Sequence, residues 1–210
     1  MLLDKQQIEN LDRKYKLNLI NSISGIKPAN LIGTKSNEGK DNVAIFSSVV
    51  HLGSSPAQLG IIMRPQGEVP TDTYRNILST KYYTINHISD SFIKKAHYTS
   101  AKLKKGHSEF ERMNIEKDFL KDFYAPFVKE SNVKIGMKHL QNIPLPNGCI
   151  FMIGTVEMII LPDNAINDLG QLDLCMYNCT GISGLNTYYS LNKIDTFPYV
   201  RNNEIPDFKE

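Results

Sequence analysis

The amino-acid sequence predicts a mainly β protein with peripheral helices, built around a small closed antiparallel barrel. Two observations support this fold class. From Ile26 onward, short apolar runs alternate with turn residues, which is typical of strands joined by tight turns. Two longer apolar runs, "VKIGMKHLQNIPL" and "CIFMIGTVEMIILP", follow late in the chain and predict long strands. About six antiparallel strands favour a barrel, because closing a sheet removes its exposed edges.

The chain is long enough for one globular domain. Its 210 residues are 41% apolar, which suffices for a sizeable core. We therefore expect a single domain over residues 1–210. Within it, residues 1–20 are predicted to form an N-terminal helical extension and residues 102–130 a long excursion.

The opening segment, to about Leu19, predicts a helix on the outside of the domain. Ile8, Leu11, Tyr15 and Leu19 recur at spacings of three and four among polar residues. This spacing places them on one face of a helix.

Three consecutive strands are predicted after the extension. "KPANLIGT" is followed by "NVAIFSSVVHLGSSPAQLGIIMR", residues 42–64, and the turn sequences "SNEGKD" and "GSSP" separate the apolar runs. Strands joined by tight turns pair with each other, so an antiparallel meander is expected.

Two helices and a fourth strand are predicted next. In "VPTDTYRNILST", Thr71 or Asp72 can cap a helix whose apolar side carries Tyr74, Ile77 and Leu78. "KYYTINHI" alternates as a strand, and "SDSFIKKAHYTSA" opens a second helix behind a Ser or Asp cap.

The remaining segments give weaker patterns. Residues 102–130 are charged and only briefly periodic, which indicates an excursion with a short helix, and Glu109 and Glu111 are interpreted there as a solvated face. From Asn164 the sequence predicts loop and turn, with a short helix near residues 172–177.

Charge and composition limit the classes of partner that the protein is expected to bind. The chain has 24 basic and 22 acidic residues, a net charge of +2 that gives no broad field for a nucleic-acid backbone. No signal-peptide core and no run of about 20 apolar residues occurs. We therefore expect a soluble cytoplasmic protein with neither a nucleic acid nor a membrane as partner.

The cysteines and histidines do not predict a metal site. Cys149, Cys175 and Cys179 cannot all pair, and a reducing compartment favours free thiols. Cys175 and Cys179 are four apart with no histidine pair downstream, so packing is the better interpretation. The five histidines are dispersed.

Two adjacent hydroxyls, Ser47 and Ser48, stand in the middle of the apolar run "NVAIFSSVVHL". Residues two apart share a face of a strand, so each face of this strand would be apolar with one hydroxyl. A buried hydroxyl without a partner costs about 1–3 kcal/mol. Each serine could therefore bond a neighbouring backbone carbonyl, or the strand could lie against a second subunit or a flat ligand.

A second polar group follows in "RPQGEVPTDTYRNI". Arg64 stands at a strand end, and Thr71 and Thr73 stand at the start of a helix. Free N–H groups at a helix N-terminus beside hydroxyls and a guanidinium favour a phosphate group. A capped helix with a solvated arginine is the alternative. Together, the two features suit the two ends of a phosphorylated planar cofactor.

From about Ser22 to Tyr189, the sequence resembles the flavin reductase-like family with the FMN-binding split β-barrel. The resemblance rests on the order and spacing of several motifs, each weak alone: "ANLIGT", "NVAIFSSVVHLGSSP", "TDTYRNILSTKYYTINHI", "TSA" with "EFE" after it, and "IGTVEMIIL".

The resemblance implies a six-stranded, Greek-key-like split barrel that forms a homodimer with flavin near the subunit interface. It also implies three groups of cofactor-binding residues. The flavin ring would be faced or flanked by Asn42, Phe46, Ser47, Ser48 and Val49. The ribityl chain and phosphate would be held by Arg64, Thr71, Thr73 and Asn76. His97 and Ser100, in "HYTSA", lie where the family often approaches the cofactor, and an exposed helix residue without a cofactor role is the alternative for His97.

The sequence departs from the family pattern at two turns. Ser54-Ser55-Pro56-Ala57 stands where many reductases have an acidic residue and two prolines. Gln66-Gly67-Glu68-Val69 stands where a basic turn is common, and Glu68 beside a phosphate would be unfavourable unless it points away.

The resemblance implies an NAD(P)H-dependent flavin oxidoreductase that uses FMN. Hydride would pass from the nicotinamide C4 to flavin N5, and this transfer needs stacked rings but no catalytic acid or nucleophile. A monooxygenase or another electron-acceptor protein could take the electrons. An FMN-binding electron carrier without NADH or NADPH activity is the alternative, and a split-barrel homodimer with a different planar ligand, or none, is a third. No G-x-G-x-x-G follows a strand, and "GISG" is interpreted as a turn.

Overall fold

The computed structural model of the chain describes residues 1–103 and 107–208. The helices are α1 (Lys5–Glu9), α2 (Arg13–Ser22), α3 (Asp72–Thr80), α4 (Ile93–Tyr98) and α5 (Glu109–Arg112), with 3-10 turns at Asp90–Phe92 and Asn202–Glu204. The strands are β1 (Lys27–Pro28), β2 (Asn30–Lys35), β3 (Asp41–Phe46), β4 (Val50–Ser54), β5 (Ala57–Met63), β6 (Tyr82–His87), β7 (Lys117–Asp118), β8 (Phe127–Val128), β9 (Lys134–Pro144), β10 (Ile150–Ile160), β11 (Thr180–Ser183) and β12 (Thr187–Ser190). Within the described ranges, no helix is long and apolar enough to cross a membrane.

The main sheet confirms a mainly β protein with peripheral helices. Seven antiparallel strands pair in the order β3-β2-β6-β9-β10-β5-β4. β2 and β3 form a hairpin, as do β4 and β5, as the turn sequences predict. The predicted meander of three strands is wrong, however, because β3 and β4 lie at opposite edges of the sheet.

The position of β3 and β4 determines the shape of the sheet. Only residues 47–49 separate the end of β3 from the start of β4. Two edges joined by so short a segment must lie close together, so the sheet curls into a barrel. Among the described residues β3 and β4 do not pair, so the expected closed barrel is wrong, and the sheet has seven strands rather than six. We call the unpaired boundary between β3, at one edge of the sheet, and the hairpin of β4 and β5, at the other edge, the seam.

Two apolar cores lie on opposite sides of the sheet. The interior core consists of Ile32, Ile61, Met63, Ile77, Tyr83, Ile85, Met137 and Met152, and Phe46, Val49, Tyr74 and Leu78 pack against it. Because Ile77 belongs to α3, that helix closes one end of the barrel. The outer core includes Leu31, Val43, Ile88, Phe92, Ala96, Phe110, Val128 and Ile182, and it joins α4 and α5 to the outside of β2 and β3.

The N-terminal segment forms two helices instead of the single helix predicted. Asp12 lies between the two helices and is the N-cap residue of α2. Its carboxylate accepts hydrogen bonds from the N–H groups of Lys14 at 2.9 Å and Tyr15 at 3.0 Å. No residue of α1 or α2 is buried, so the predicted outside location is confirmed.

Residues 104–106 of the predicted excursion lie outside the described residues, and residues 107–130 pack on the barrel more closely than their charge suggested. α5 is the predicted short helix, and its Phe110 is buried in the outer core. Phe123 lies over Gly136, where a Cβ atom would come within 2.9 Å of the ring, so the glycine allows this close approach. The solvated-face interpretation is wrong for Glu109, which is buried, whereas Glu111 is exposed.

The C-terminal region contains strands where loop was predicted. β11 and β12 form a hairpin, and β1 pairs with the other side of β11. The short helix expected near residues 172–177 is a series of turns.

Candidate functional site

The hydroxyl pair lies in a bend and not in a strand. β3 ends at Phe46 and β4 begins at Val50, so the expected alternation of faces through Ser47 and Ser48 is wrong. The physical reason is topological: the chain must leave one sheet edge and enter the other, and it cannot stay in either ladder while it does so. Residues 47–49, which we call the bend, are half-buried.

Ser48 fastens the bend across the seam. Its hydroxyl donates to the backbone carbonyl of Ile62 at 3.0 Å and accepts from the N–H of the same residue at 3.1 Å. One side chain therefore satisfies both backbone groups of a residue in β5. Of the two interpretations offered for the serines, a bond to the backbone is the one found for Ser48. No hydrogen bond of the Ser47 hydroxyl is found among the described residues, so this hydroxyl can bond a ligand.

Gln66 orders the loop that joins β5 to α3. Its side-chain N–H group donates to the carbonyl of Arg64 at 2.7 Å. Its side-chain oxygen accepts from the N–H of Thr71 at 3.0 Å and from the Thr71 hydroxyl at 3.1 Å. The glutamine thus holds the end of β5 beside the start of α3. The departure from a basic turn at this position therefore has a structural role, while Glu68 in the same loop is exposed.

The start of α3 retains donors for a ligand. Thr71 is the N-cap residue, but it makes no side-chain cap hydrogen bond because its hydroxyl bonds Gln66. The first N–H groups of a helix otherwise lack partners and carry partial positive charge. Asp72 forms an ion pair with Arg75, which reduces the negative charge at the helix start. Arg64 is exposed nearby and forms no ion pair with any described residue.

Three of the predicted site residues form a buried network instead of lining an open surface. Asn42, Thr73 and Asn76 are each less than a tenth exposed. Asn76 donates to the Thr34 hydroxyl at 3.1 Å. The Asn42 amide is fully satisfied when its oxygen accepts from the Thr73 hydroxyl at 3.0 Å and its N–H group donates to Glu109 at 3.1 Å. We call Thr34, Asn42, Thr73, Asn76 and Glu109 the polar brace; it fixes the start of α3 against β2 and β3.

Glu109 is the unexpected member of the polar brace. Burial raises the pKa of its carboxyl, hydrogen bonds from the N–H groups of Glu109 and Val43 oppose that effect, and the charge of Asp72 adds to it. Sequence reasoning missed Glu109 because charged residues surround it; its place in the "EFE" motif was the available signal. Thr34 and Gln66 were missed as well, since neither stands in a pattern typical of a site.

His97 and Ser100 lie on α4 and just after it, and α4 packs through the outer core against β3. His97 is on α4, and its Nδ1 atom is 3.0 Å from the hydroxyl of Tyr188 in β12. The two rings meet edge to face at 5.8 Å. Burial raises the pKa of Tyr188 to about 12. Ser100 is exposed just after α4. The role of both residues at a cofactor remains a prediction.

The bend and the start of α3 are the two ends of one candidate site. Ser48 bonds Ile62, which lies two residues before Arg64, and Gln66 connects Arg64 to Thr71. The polar brace joins Thr73 to the opposite end of β3. At about 3.3 Å per residue, β3 separates the two ends by roughly 17 Å. An elongated ligand with a flat group at the bend and an anion at the helix start fits this arrangement.

The curled sheet, its seam and this two-ended site define a flavin reductase-like protein. Residues 26–178 match the family model described as "Flavin reductase like domain", and the chain belongs to that family. A solved structure from Shewanella frigidimarina NCIMB 400, provisionally described as a flavin reductase with a split barrel domain, is 42% identical. Its TM-score is 0.92, and the match covers 95% of this chain and all of that one.

Two more distant structures share the fold. Nitrilotriacetate monooxygenase component B from Bacillus cereus has a TM-score of 0.82 at 17% identity, with coverage of 94% of this chain and 98% of that chain. Flavoredoxin of Desulfovibrio vulgaris (Miyazaki F) has a TM-score of 0.71 at 19% identity, with coverage of 83% and 91%. The family membership and the first structure support an oxidoreductase that works with a flavin.

Proposed function

We propose that the protein binds FMN in the site between the bend and the start of α3 and transfers hydride to it from NADH or NADPH. The observation that carries this proposal is the bend itself: three half-buried residues outside any ladder, fastened at the seam by Ser48 and connected through Arg64 to an uncapped helix start.

The bend supplies the groups that a flavin ring needs. Its N–H groups do not belong to either sheet edge, and the Ser47 hydroxyl remains available beside them. Donors placed near the pyrimidine part of a flavin stabilise the negative charge of the reduced ring. Phe46 and Val49 pack against the interior core and so hold the backbone of the bend in place.

The start of α3 supplies the groups that a phosphate needs. The N–H groups of the first turn, the positive end of the helix and the Arg64 guanidinium attract the same anion. The polar brace keeps this helix start at a fixed distance from the bend, because Asn42 and Thr73 connect it to β3. In this proposal Asn42, Thr73 and Asn76 do not contact the ligand; they are buried and hold the start of α3 in position.

Flavin, when bound, supplies the hydride chemistry, and the protein supplies binding and orientation. The Ser47 hydroxyl and the N–H groups of the bend orient the ring. Arg64 and the first turn of α3 hold the phosphate. Loss of hydride from the nicotinamide would require no acid or base from a side chain of the site.

We further propose that the active form is a homodimer. The strand registers place Val50, Ile62, Ile143, Phe151 and Ile153 on one side of β4, β5, β9 and β10, away from the interior core. We call this the outer sheet face. The Phe151 ring occupies the space beside Gly60 that a Cβ atom would need, and both Val50 and Ile143 are exposed. An apolar sheet face of this kind is typical of a surface that a second subunit covers.

Flavin titration and a nucleotide assay test the function. FMN binding to the purified protein, followed by the visible flavin absorbance, together with FMN-dependent oxidation of NADH or NADPH, is the expected result. FMN binding without nucleotide oxidation would favour the electron carrier. Absence of binding by FMN, FAD and riboflavin, together with absence of flavin-dependent oxidation, would overturn the proposal.

Ser47→Ala tests the position of the ring, with Ser54→Ala as the matched control at the exposed end of β4. Only the first substitution should weaken FMN binding.

A further inference from the structure

The last described segment of the chain carries large apolar side chains that its own subunit does not cover. In residues 194–208, which we call the tail, Phe197 is 79% exposed, Tyr199 89% and Phe208 83%. Ile194, Val200 and Ile205 are more than half exposed as well. Six large apolar side chains in so short a segment are unusual for a solvated terminus, because flexible polar tails are poor in aromatic residues.

The tail is anchored at its root by Cys175. The thiol of Cys175 donates to the carbonyl of Leu191 at 3.3 Å, and its sulfur accepts from the N–H of Lys193 at 3.1 Å. Past this anchor, the described residues 194–206 hydrogen-bond only to one another, as in the pair formed by Arg201 and Glu204. Asp195 and Thr196 still line a cavity with residues 164–176, whereas Phe197 and Tyr199 just beyond them are exposed.

We infer that the tail of each subunit packs on a second copy of this chain. This inference rests on the homodimer proposed above. It adds that each subunit places its tail on the other subunit, which we call the exchange. At about 200 Å² per ring, the three aromatic side chains expose about 500 Å² on each tail. If half of that becomes covered, two tails and the surfaces beneath them bury about 1,000 Å², which already reaches the size expected of a specific interface.

Charge and symmetry favour a second copy over other occupants. Residues 194–208 contain Arg201 against Asp195, Glu204 and Asp207, a net charge of −2 that does not suit an anionic lipid surface. In a two-fold dimer each subunit both gives and receives a tail, so one apolar segment contributes twice to the same interface.

Photo-crosslinking tests the exchange in the full-length protein. p-Benzoylphenylalanine at position 199, in place of Tyr199, should give a covalent dimer on denaturing gels after irradiation. The same group in place of Glu38, on the exposed β2–β3 turn, is the control and should leave the chain monomeric on the gel. Peptide mapping that finds only links within one chain, or no link from position 199, would overturn the exchange.

Sedimentation separates the exchange from the homodimer. A dimer whose dissociation constant rises at least tenfold in the double variant Phe197→Ser, Tyr199→Ser supports the exchange, with Tyr15→Ser as an exposed aromatic control. A stable dimer that is indifferent to the double variant overturns the exchange and leaves the homodimer intact. A wild-type chain that sediments as a monomer overturns both.

Discussion

Replacing the two neighbouring serines separately should give opposite results. Ser48 and Ser47 are adjacent in sequence, but the Ser48 hydroxyl holds the seam while the Ser47 hydroxyl is available to a ligand. Ser48→Ala should therefore lower stability, whereas Ser47→Ala should lower flavin affinity. The pair is a matched test, because both changes remove one hydroxyl from the same bend.

The magnitudes follow from the bonds that are lost. Ser48→Ala removes two hydrogen bonds to Ile62, each worth about 0.5–1.5 kcal/mol, so the free energy of unfolding should fall by about 1–3 kcal/mol. For a chain of this length, that corresponds to a decrease in Tm of about 3–9 °C. Ser47→Ala should change stability by less than about 0.5 kcal/mol. If its hydroxyl bonds the flavin, its loss should raise the Kd for FMN about twofold to tenfold.

Urea unfolding without flavin measures the first effect, since bound ligand would itself stabilise the folded state. The denaturant dependence should be unchanged and only the midpoint should move. FMN titration measures the second effect, with Ser54→Ala as the control in both assays. A Ser48→Ala variant as stable as the parent protein would refute the seam assignment. A Ser47→Ala variant that loses stability but not affinity would refute the ligand assignment.

Three further perturbations test the rest of the site and the dimer. Gln66→Ala releases the loop between β5 and α3, so FMN affinity should fall about threefold to tenfold in a titration, and unchanged affinity would contradict its positioning role. Because burial raises the pKa of Glu109, the folded state holds that proton more tightly than the unfolded chain does. Stability should therefore fall, by at most about 1.4 kcal/mol per pH unit, as pH rises from the ordinary glutamate pKa through the raised one. Urea unfolding across pH should show this slope disappear in Glu109→Gln but persist in Glu111→Gln. Ile143→Asp places a charge on the outer sheet face and should convert the dimer to a monomer in sedimentation, whereas Val69→Asp in an exposed loop should not; equal effects would argue against that face as the interface.

Local patterns in the sequence predicted β2, β5, β6, β9, β10 and α3 correctly but could not predict the seam. The apolar run from Val43 to Leu52 continues through both serines without a turn residue, so it is typical of one strand. What breaks it is the placement of β3 and β4 at opposite edges of the sheet, and that depends on pairings with distant segments. The Ser48–Ile62 bonds follow from the same long-range arrangement.

Two other differences have similar causes. Glu109 is buried because Asn42 and the N–H group of Val43 meet its carboxylate, and both belong to a strand about 65 residues earlier in the chain. β11 and β12 are short and interrupted by turn residues, so their pattern is weak. They are stabilised by pairing with β1, at the other end of the chain. The candidate ring and phosphate ends, in contrast, were predicted by residue type and by the helix start, which are local signals.

The bend connects two edges of the sheet with only three residues. The fold should therefore depend more strongly on the number of residues in the bend than on their side chains. Backbone groups at positions 47 and 49 would present the same donors whatever side chains they carry. One inserted residue would shift Ser48 out of reach of Ile62 and leave the barrel unfastened. Natural variation at this point of the chain should therefore consist of substitutions, while insertions and deletions accumulate in the turns on either side.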